Sequence, residues 1–417
     1  MELYKYFPTP SDRMGTLWTL TSIEDVYIIE FGPAGTTHFA IEGTMGLNGE
    51  HNANVFTTHI NETDISFGDQ ERLEKAIEEI DAGHNPKYIF IMASSISAII
   101  GTDIESVCFE MQPKINAKLI PVTTGGFSGD YALGVENTMH LLCKEIVQET
   151  EVKKLRSYNI IGNNIDSYNF LSDVEEIKSI MKEAFGFESN TIFTAYTSVD
   201  DIENTACSEF NLVLRGEGIK AADYLEKEHN LPYYYGKPYG LEGTMEWINQ
   251  IKEKFQLKLD QQYIGKQMTL LRKYLMNYKF MTRALDNKKV VLVGDYDIVV
   301  GLASLVEELG LEVEKIIVKH KMCKKIKDLI PPRYATRIDF DKSEAEIEEY
   351  LSETPVYLIL ADGSTLELAN QSEISLQIGN PNIVKRNIYP YTPFVGFKGL
   401  LFMIQNLIEL ENKKGIA

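Results

Sequence analysis

Six short apolar runs, each closed by small or polar turn residues, punctuate the chain at Val26–Gly32, Tyr88–Ser94, Tyr158–Gly162, Phe210–Gly216, Val290–Gly294 and Val356–Gly363. Runs this brief are too short for a helix and predict buried strands. Between them, Asp69–Ala82, Asp130–Thr150, Ser172–Phe185, Ile219–Glu228 and Leu302–Leu309 carry the spacing of amphipathic helices. Strand, helix, strand, helix is the signature of parallel α/β layers. The runs fall into three pairs, which predicts three similar units at about 1–150, 151–255 and 286–417. The stretch Lys252–Asn287 has few turn signals and reads as a helical connector.

The first pair holds the most informative stretch, Val26–Asn48. Its strand ends in Gly32-Pro33-Ala34-Gly35, a tight turn that delivers Thr36, Thr37 and His38 to a helix start. That places their side chains at the carboxyl edge of a parallel sheet, where open α/β sheets bind ligands. Gly32 and Gly35 are each expected at positive φ or where a Cβ would strike a neighbour. On that reading Gly35→Val destabilises the domain or disrupts pairing by about 1–3 kcal/mol.

Composition narrows the function classes. A chain of 417 residues exceeds one compact core, and a net charge of −20 argues against a nucleic-acid surface or an anionic membrane face. The opening MELYKYFPTPSDRMG lacks a basic-plus-apolar leader pattern, and no apolar run reaches the length of a membrane span. Cys108, Cys143, Cys207 and Cys323 are dispersed without a CxxC, the pattern of a cytoplasmic protein rather than a disulfide framework.

Other motifs read as ordinary structure. Gly294-Asp295-Tyr296-Asp297 lacks GxGxxG, and its two aspartates would repel a pyrophosphate, so it is read as a plain βα turn. Gly240-Leu241-Glu242-Gly243-Thr244 lacks a Walker lysine and reads as a helix start capped by Thr244. His320 and Cys323 at i, i+3 read as a surface pair, since two ligands make no metal site. The basic run Lys315–Arg337 reads as a solvated helix face, with a docking surface for an acidic partner or anionic substrate as the alternative. The acidic stretch Asp339–Glu353 directly after it offers intramolecular neutralisation.

The order of motifs is more specific than any one of them. FGPAGTTH, FTTHINETDISFGDQERLEKAI, PKYIFIMASSISAIIGTDIESV and IPVTTGGFSG follow one another as in the first domain of a nitrogenase component-one-type subunit. The resemblance continues through YNIIGNN, NLVLRGEGIKAADYLEKEHNLPYYYGKPYGLEGT, KKVVLVGDYD and NIYPYTPFVGFKGLLFMI. The opening DRMGTLWTLTSIEDVYIIEFGPAG is most similar to the β-like subunit of dark-operative protochlorophyllide reductase.

This resemblance implies three Rossmann-like domains around a central cleft: 1–150, 151–255 and, after a connector at 256–287, 288–417 with a C-terminal helix. It also implies an α-like homologous partner, an iron–sulfur cluster between first domains, and an ATP-dependent iron protein. The cluster-facing turns would be Gly32, Pro33, Gly35, Thr36 and His38 together with Ser94 and Ser95. Here the sequence departs from the family, because Thr36 stands where relatives carry Cys or Asp, and the second turn reads Ala93-Ser94-Ser95. Protonated hydroxyls are poor ligands for iron–sulfur clusters, which want thiolates. The cluster is therefore expected mainly on the partner, with Thr36 or His38 at most capping it, and the isolated chain is expected to stay colourless. Leu214 and the histidine-free NIYPYTPF likewise remove the family's cofactor position.

No catalytic residue or metal ligand is assigned. A pocket, if present, is placed between the domains near Arg215, Glu217 and Asn387. The reading is a β-like, non-autonomous subunit of a nitrogenase-like reductase or a metallocofactor-maturation complex. The alternative is a small-molecule or metallocofactor-binding homodimer without redox activity.

Overall fold

The computed structural model describes residues 8–44, 47, 54–321, 329–369, 372–382 and 391–415. Among these, thirteen strands form three separate sheets, and every strand pairing within them is parallel. The first sheet holds β1 (Tyr27–Phe31), β2 (Val55–Thr57), β3 (Tyr88–Ala93) and β4 (Lys118–Val122) in the order β2-β1-β3-β4. The second repeats that order as β6-β5-β7-β8, from β5 (Ser157–Asn163), β6 (Glu188–Thr194), β7 (Phe210–Val213) and β8 (Tyr233–Tyr235). The third runs β11-β10-β9-β12-β13, from β9 (Lys289–Gly294), β10 (Glu312–Val318), β11 (Ile338–Phe340), β12 (Val356–Asp362) and β13 (Ser372–Gly379).

The six apolar runs are the paired central strands β1 and β3, β5 and β7, and β9 and β12. They are legible because a central parallel strand is buried on both faces and so reads as continuous apolar sequence. In β3 and β12 every residue is buried. Six of the seven strands that the pattern leaves out are edge strands, shorter or more polar, and β4 carries Pro121, which an edge strand tolerates.

Two layers of helices weld the sheets together. Asp12–Thr21, Tyr131–Glu145 and Ile219–His229 fill the space between the first and second sheets, with Leu17, Val135, Leu142 and Leu225 joining Ile28 and Phe90 to Ile161 and Val213. A larger core unites the second and third sheets through Phe170–Phe185, Gly240–Lys254, Gln261–Thr282, Tyr296–Glu308 and Gly396–Lys414. Side chains as large as Trp247, Tyr278 and Phe397 are fully buried there. Each such burial contributes about 1.5–3 kcal/mol, so these two sheets are not loosely hinged.

One helix start differs from its sequence reading. Thr244 lies inside Gly240–Lys254 rather than capping it, and its hydroxyl donates back to the Gly240 carbonyl. The first amides, Leu241 and Glu242, instead donate to the Glu308 carboxylate from the third domain at 2.8 and 3.2 Å. A carboxylate at a helix N-terminus satisfies free donors and complements the helix dipole. No helix among the described residues is long and apolar enough to cross a membrane.

Candidate functional site

The strand order reverses between the first and third strands of the first two sheets and between β9 and β12 of the third, the point where α/β folds open a crevice for ligands. The first domain's crevice is formed by the turns after β1 and β3, whose last residues, Phe31 and Ala93, are paired in register. The two cluster-facing turns inferred from the sequence therefore lie side by side. A Cβ on Gly32 would sit 2.4 Å from Ser94 Cβ and 2.6 Å from its Oγ, so only glycine allows this approach. Gly35 is different: a Cβ there would meet nothing within 4 Å, and its φ is not positive. The expectation of a positive φ or a steric clash at Gly35, and with it a loss of domain stability in Gly35→Val, is corrected, because this glycine is exposed in the first turn of the helix Ala34–Thr44.

The hydroxyls of Thr36, Ser94 and Ser97 are already engaged, whereas the buried Thr37 Oγ1 has no partner among the described residues. Ser94 is fully buried, and its Oγ caps the helix Ser95–Ile99 by accepting from Ser97 N–H at 3.1 Å. Ser97 Oγ donates to the Phe31 carbonyl at 2.6 Å, tying the second turn to the first. Thr36 Oγ1 donates to the Pro33 carbonyl at 2.8 Å. His38 points to solvent, with Nε2 3.1 Å from Glu42 Oε1. A Cβ on Gly126 would come within 3.2 Å of Ser95 Oγ, so the turn after β4 completes the face.

Around these turns stand apolar side chains in water. Phe39, one helical turn from Thr36, is 76% exposed; Ile99, one turn from Ser95, is 71% exposed; Phe127, beside Gly126, is 65% exposed. Three large side chains exposed to this degree around one crevice mark a surface built for contact.

The donor set does not fit an iron–sulfur cluster. Among the described residues no thiol reaches this face: Cys108 is buried in the helix Ile104–Met111 with its thiol pushed up to about 12 by burial, and Cys143 is buried in Tyr131–Glu145. Thiols in apolar surroundings stay protonated and inert. Among the described residues, no group of three or more His, Cys, Asp or Glu is placed to hold a metal ion.

The crevices of the second and third domains meet instead at a charged junction. Arg215, just beyond β7, donates through Nη1 to both oxygens of Asp166 at 2.8 Å and through Nε to Glu217 Oε2 at 2.7 Å. Gly162 has φ +95°, and a Cβ there would stand 2.6 Å from Arg215 Cγ, so glycine makes room for the arginine. From the third domain, Asp297 accepts from Gly216 N–H at 2.9 Å and from the Tyr235 hydroxyl. Asp295 accepts from the hydroxyl of Tyr131, the first residue of a first-domain helix. His320, 1% exposed, accepts from Tyr296 N–H at 3.1 Å, and Lys321 N–H donates to first-domain Asp130 at 2.6 Å.

Burial sets the charge states. It pushes the Asp166 carboxyl upward, an effect that Arg215 partly offsets. Burial would raise Glu217 too, but the opposing pull of Arg215 and then His320 leaves it below the usual carboxylate range. Asp297 is pushed up to about 6, first by burial and next by the nearby Glu217 charge. The Tyr131 hydroxyl is held well above its ordinary value by burial and by Asp295. A narrow cleft opens onto the cluster beside Ser167, Asn169, Lys237 and Ile298, with Lys237 3.5 Å from Asp173.

Arg215 and Glu217, inferred from the sequence as pocket residues, are at this junction; Asn387 lies outside the described residues. Asp295 and Asp297, read as a plain turn, are two of its main members. The missed signal was their position directly after the central strand β9, the register that Arg215 occupies after β7. His320, read as a surface residue, is buried because it follows β10 inward, and Cys323 lies outside the described residues. The basic run also differs from a helix face where it is described. Lys315 lies in β10 and pairs with Asp339 at 2.9 Å, Lys319 follows it and pairs with Asp362 at 3.1 Å, and Arg337 donates to the Val313 carbonyl.

Comparison with known proteins bears on the family and the fold. A model of the nitrogenase component 1 type oxidoreductases matches residues 11–410. The nitrogenase iron-molybdenum cofactor biosynthesis protein NifE of Clostridium pasteurianum is 27% identical over 305 residues, 72% of this chain and 65% of that protein. The protein of the same name from Nostoc sp. is 25% identical over 95% of this chain and 81% of its own. The B subunit of light-independent protochlorophyllide reductase from Crocosphaera subtropica is 24% identical over 93% of this chain and 79% of its own. The solved structure described as nitrogenase Cp1 at pH 6.5 superposes with a TM-score of 0.81 at 18% identity, covering 99% of this chain and 95% of that one, a likeness of fold.

Proposed function

We propose a subunit role for this chain, starting from the fact that it belongs to the nitrogenase component 1 type oxidoreductase family. It acts as the β-like member of a nitrogenase-like reductase or metallocofactor-maturation complex. Its first-domain face pairs with the corresponding face of an α-like homologous subunit, and that partner holds the iron–sulfur cluster. An ATP-dependent iron protein supplies the electrons, since this chain offers neither a Walker lysine nor a glycine-rich phosphate loop.

One observation carries the reading. Thr36 and Ser94, on the turns that would face a cluster, have their hydroxyls spent on local hydrogen bonds, while the surface around them presents Phe39, Ile99 and Phe127 to solvent. A face without ligands but with apolar contacts suits the wall of a shared site rather than its metal-holding side. Covered by a partner, these side chains would exclude water from the interface, where electrostatic interactions then strengthen. The names of the relatives, one set in cofactor biosynthesis and one in protochlorophyllide reduction, support a complex of this kind without choosing between maturation and reduction.

The test is co-expression with a homologous subunit that carries the missing cysteines, followed by native mass spectrometry. A complex containing both chains is expected, and Phe39→Asp with Phe127→Asp should abolish it. Failure of every cysteine-bearing homologue to associate, or a complex indifferent to those substitutions, would overturn the assignment.

A further inference from the structure

The helix Gln261–Thr282 is apolar on two opposite faces. Ile264, Leu271, Leu275 and Tyr278 recur at heptad spacing and are buried against the core. On the other side Leu270, Tyr274, Met276, Phe280 and Met281 are exposed by 48%, 44%, 60%, 74% and 40%. A surface helix normally keeps its outer side polar, so five large apolar side chains exposed among the lysines, Thr269 and Asn277 point to a contact face. Tyr, Phe, Met and Arg are also the residues that interface centres favour.

Charge selects what covers it. In a chain of net charge −20, these 22 residues contain no acid, and Lys266 and Lys273 lie among the exposed apolar side chains, with Arg272 at their edge and Arg283 just past the end. All four cations are exposed, and none forms an ion pair among the described residues. A second copy laid on this face would set cation against cation. An anionic bilayer would be repelled by the rest of the molecule. An acidic helix with one apolar face meets both demands, laying its apolar side chains on the stripe and its carboxylates beside the lysines and arginines.

We propose that the outer face of Gln261–Thr282 docks an acidic amphipathic helix of a partner protein, on a surface separate from the first-domain face. The probe is a fluorescent synthetic helix with leucine on one face and glutamate elsewhere, paired with its lysine counterpart and titrated with the full chain. The glutamate peptide should bind and the lysine peptide should not. Binding should weaken about tenfold or more in Phe280→Ser and in Arg272→Glu/Lys273→Glu, and should fall as salt rises. Phe109→Ser, at a residue 83% exposed elsewhere, should leave it unchanged.

Equal binding of the two peptides, no binding of either, or insensitivity to Phe280→Ser would overturn the proposal. So would self-association in sedimentation velocity that Phe280→Ser abolishes, which assigns the face to a second copy. Co-sedimentation with vesicles of phosphatidylglycerol and phosphatidylcholine that depends on Phe280 would likewise overturn it, in favour of a lipid surface. These readouts do not involve the cysteine-bearing subunit, so they succeed or fail independently of the proposed cluster-facing role.

Discussion

The first-domain crevice and the junction of the other two crevices occupy the same place in the same topology, yet they are built oppositely. Around Gly32 and Ser94 the bonded side-chain groups are hydroxyls, spent within and between the two turns, and ringed by exposed Phe39, Ile99 and Phe127. Around Arg215 the groups are charged, buried, and contributed by all three domains. The Rossmann-like scaffold does not dictate what its switch point does. Side chains after the central strands decide it, making one crevice an outward wall and joining the others into an internal lock.

If the junction is a lock, its arginine should matter most. Arg215→Met leaves Asp166 and Glu217 buried without their cation, and removing one member of a buried ion pair costs about 3–5 kcal/mol. Urea unfolding checks this, and adding Asp166→Asn and Glu217→Gln to the same variant should recover part of the loss. A near-neutral Arg215→Met would make the junction ordinary surface chemistry.

The next effect is a pH dependence peculiar to the junction. Asp297 titrates near 6 in the folded chain against an ordinary value of 3.8. The folded state thus binds the proton more tightly, so this group's stabilising contribution is complete below pH 3.8 and is lost as pH rises through 6. A tenfold difference in proton affinity corresponds to about 1.4 kcal/mol, so the loss is about 2–3 kcal/mol. Unfolding midpoints from pH 4 to 7 should fall less steeply in Asp297→Asn than in the parent. Parallel profiles would show that Asp297 is not held protonated.

At the first-domain crevice the effects are steric and smaller. Gly32→Ala drives a Cβ to 2.4 Å from Ser94 Cβ and should cost about 1–3 kcal/mol, with partial rescue by Ser94→Gly. Equal stability of the parent and Gly32→Ala would mean that the two turns are not in close contact. Gly35→Ala, three residues away, should gain about 0.4–1 kcal/mol, because it adds a helix former in open space. A loss there would restore a packing role to Gly35.

The contrast also explains what could be read in the sequence. Central strands such as β3 and β12 announce themselves because both faces are buried, whereas Val55–Thr57 and Tyr233–Tyr235 are three-residue edges that leave almost no pattern. The first-domain turns were legible because both close recognisable strands, and the family resemblance singled out the Ala93-Ser94-Ser95 turn beside the glycine-rich one. The junction was harder, because no local motif marks it: Tyr131, Asp166, Arg215, Asp295, Asp297 and His320 come from separate stretches of the chain. Asp295 and Asp297 would repel a phosphate in isolation, and only the neighbouring Arg215, Gly216 N–H and Tyr235 give them another purpose. Phe39, Ile99 and Phe127 carry no message in sequence either, since their exposure depends on where three loops converge.

The central claim is that this chain supplies a wall and no ligands. Its most direct test is to express the chain alone under strict anaerobiosis, supply iron and sulfide, and measure iron, acid-labile sulfide and visible absorption. The account predicts a colourless protein without stoichiometric iron, because the first-domain face offers no thiolate among the described residues and Cys108 and Cys143 are packed away. A stoichiometric four-iron cluster on the isolated chain would contradict it and would require ligands outside the residues assigned to that face.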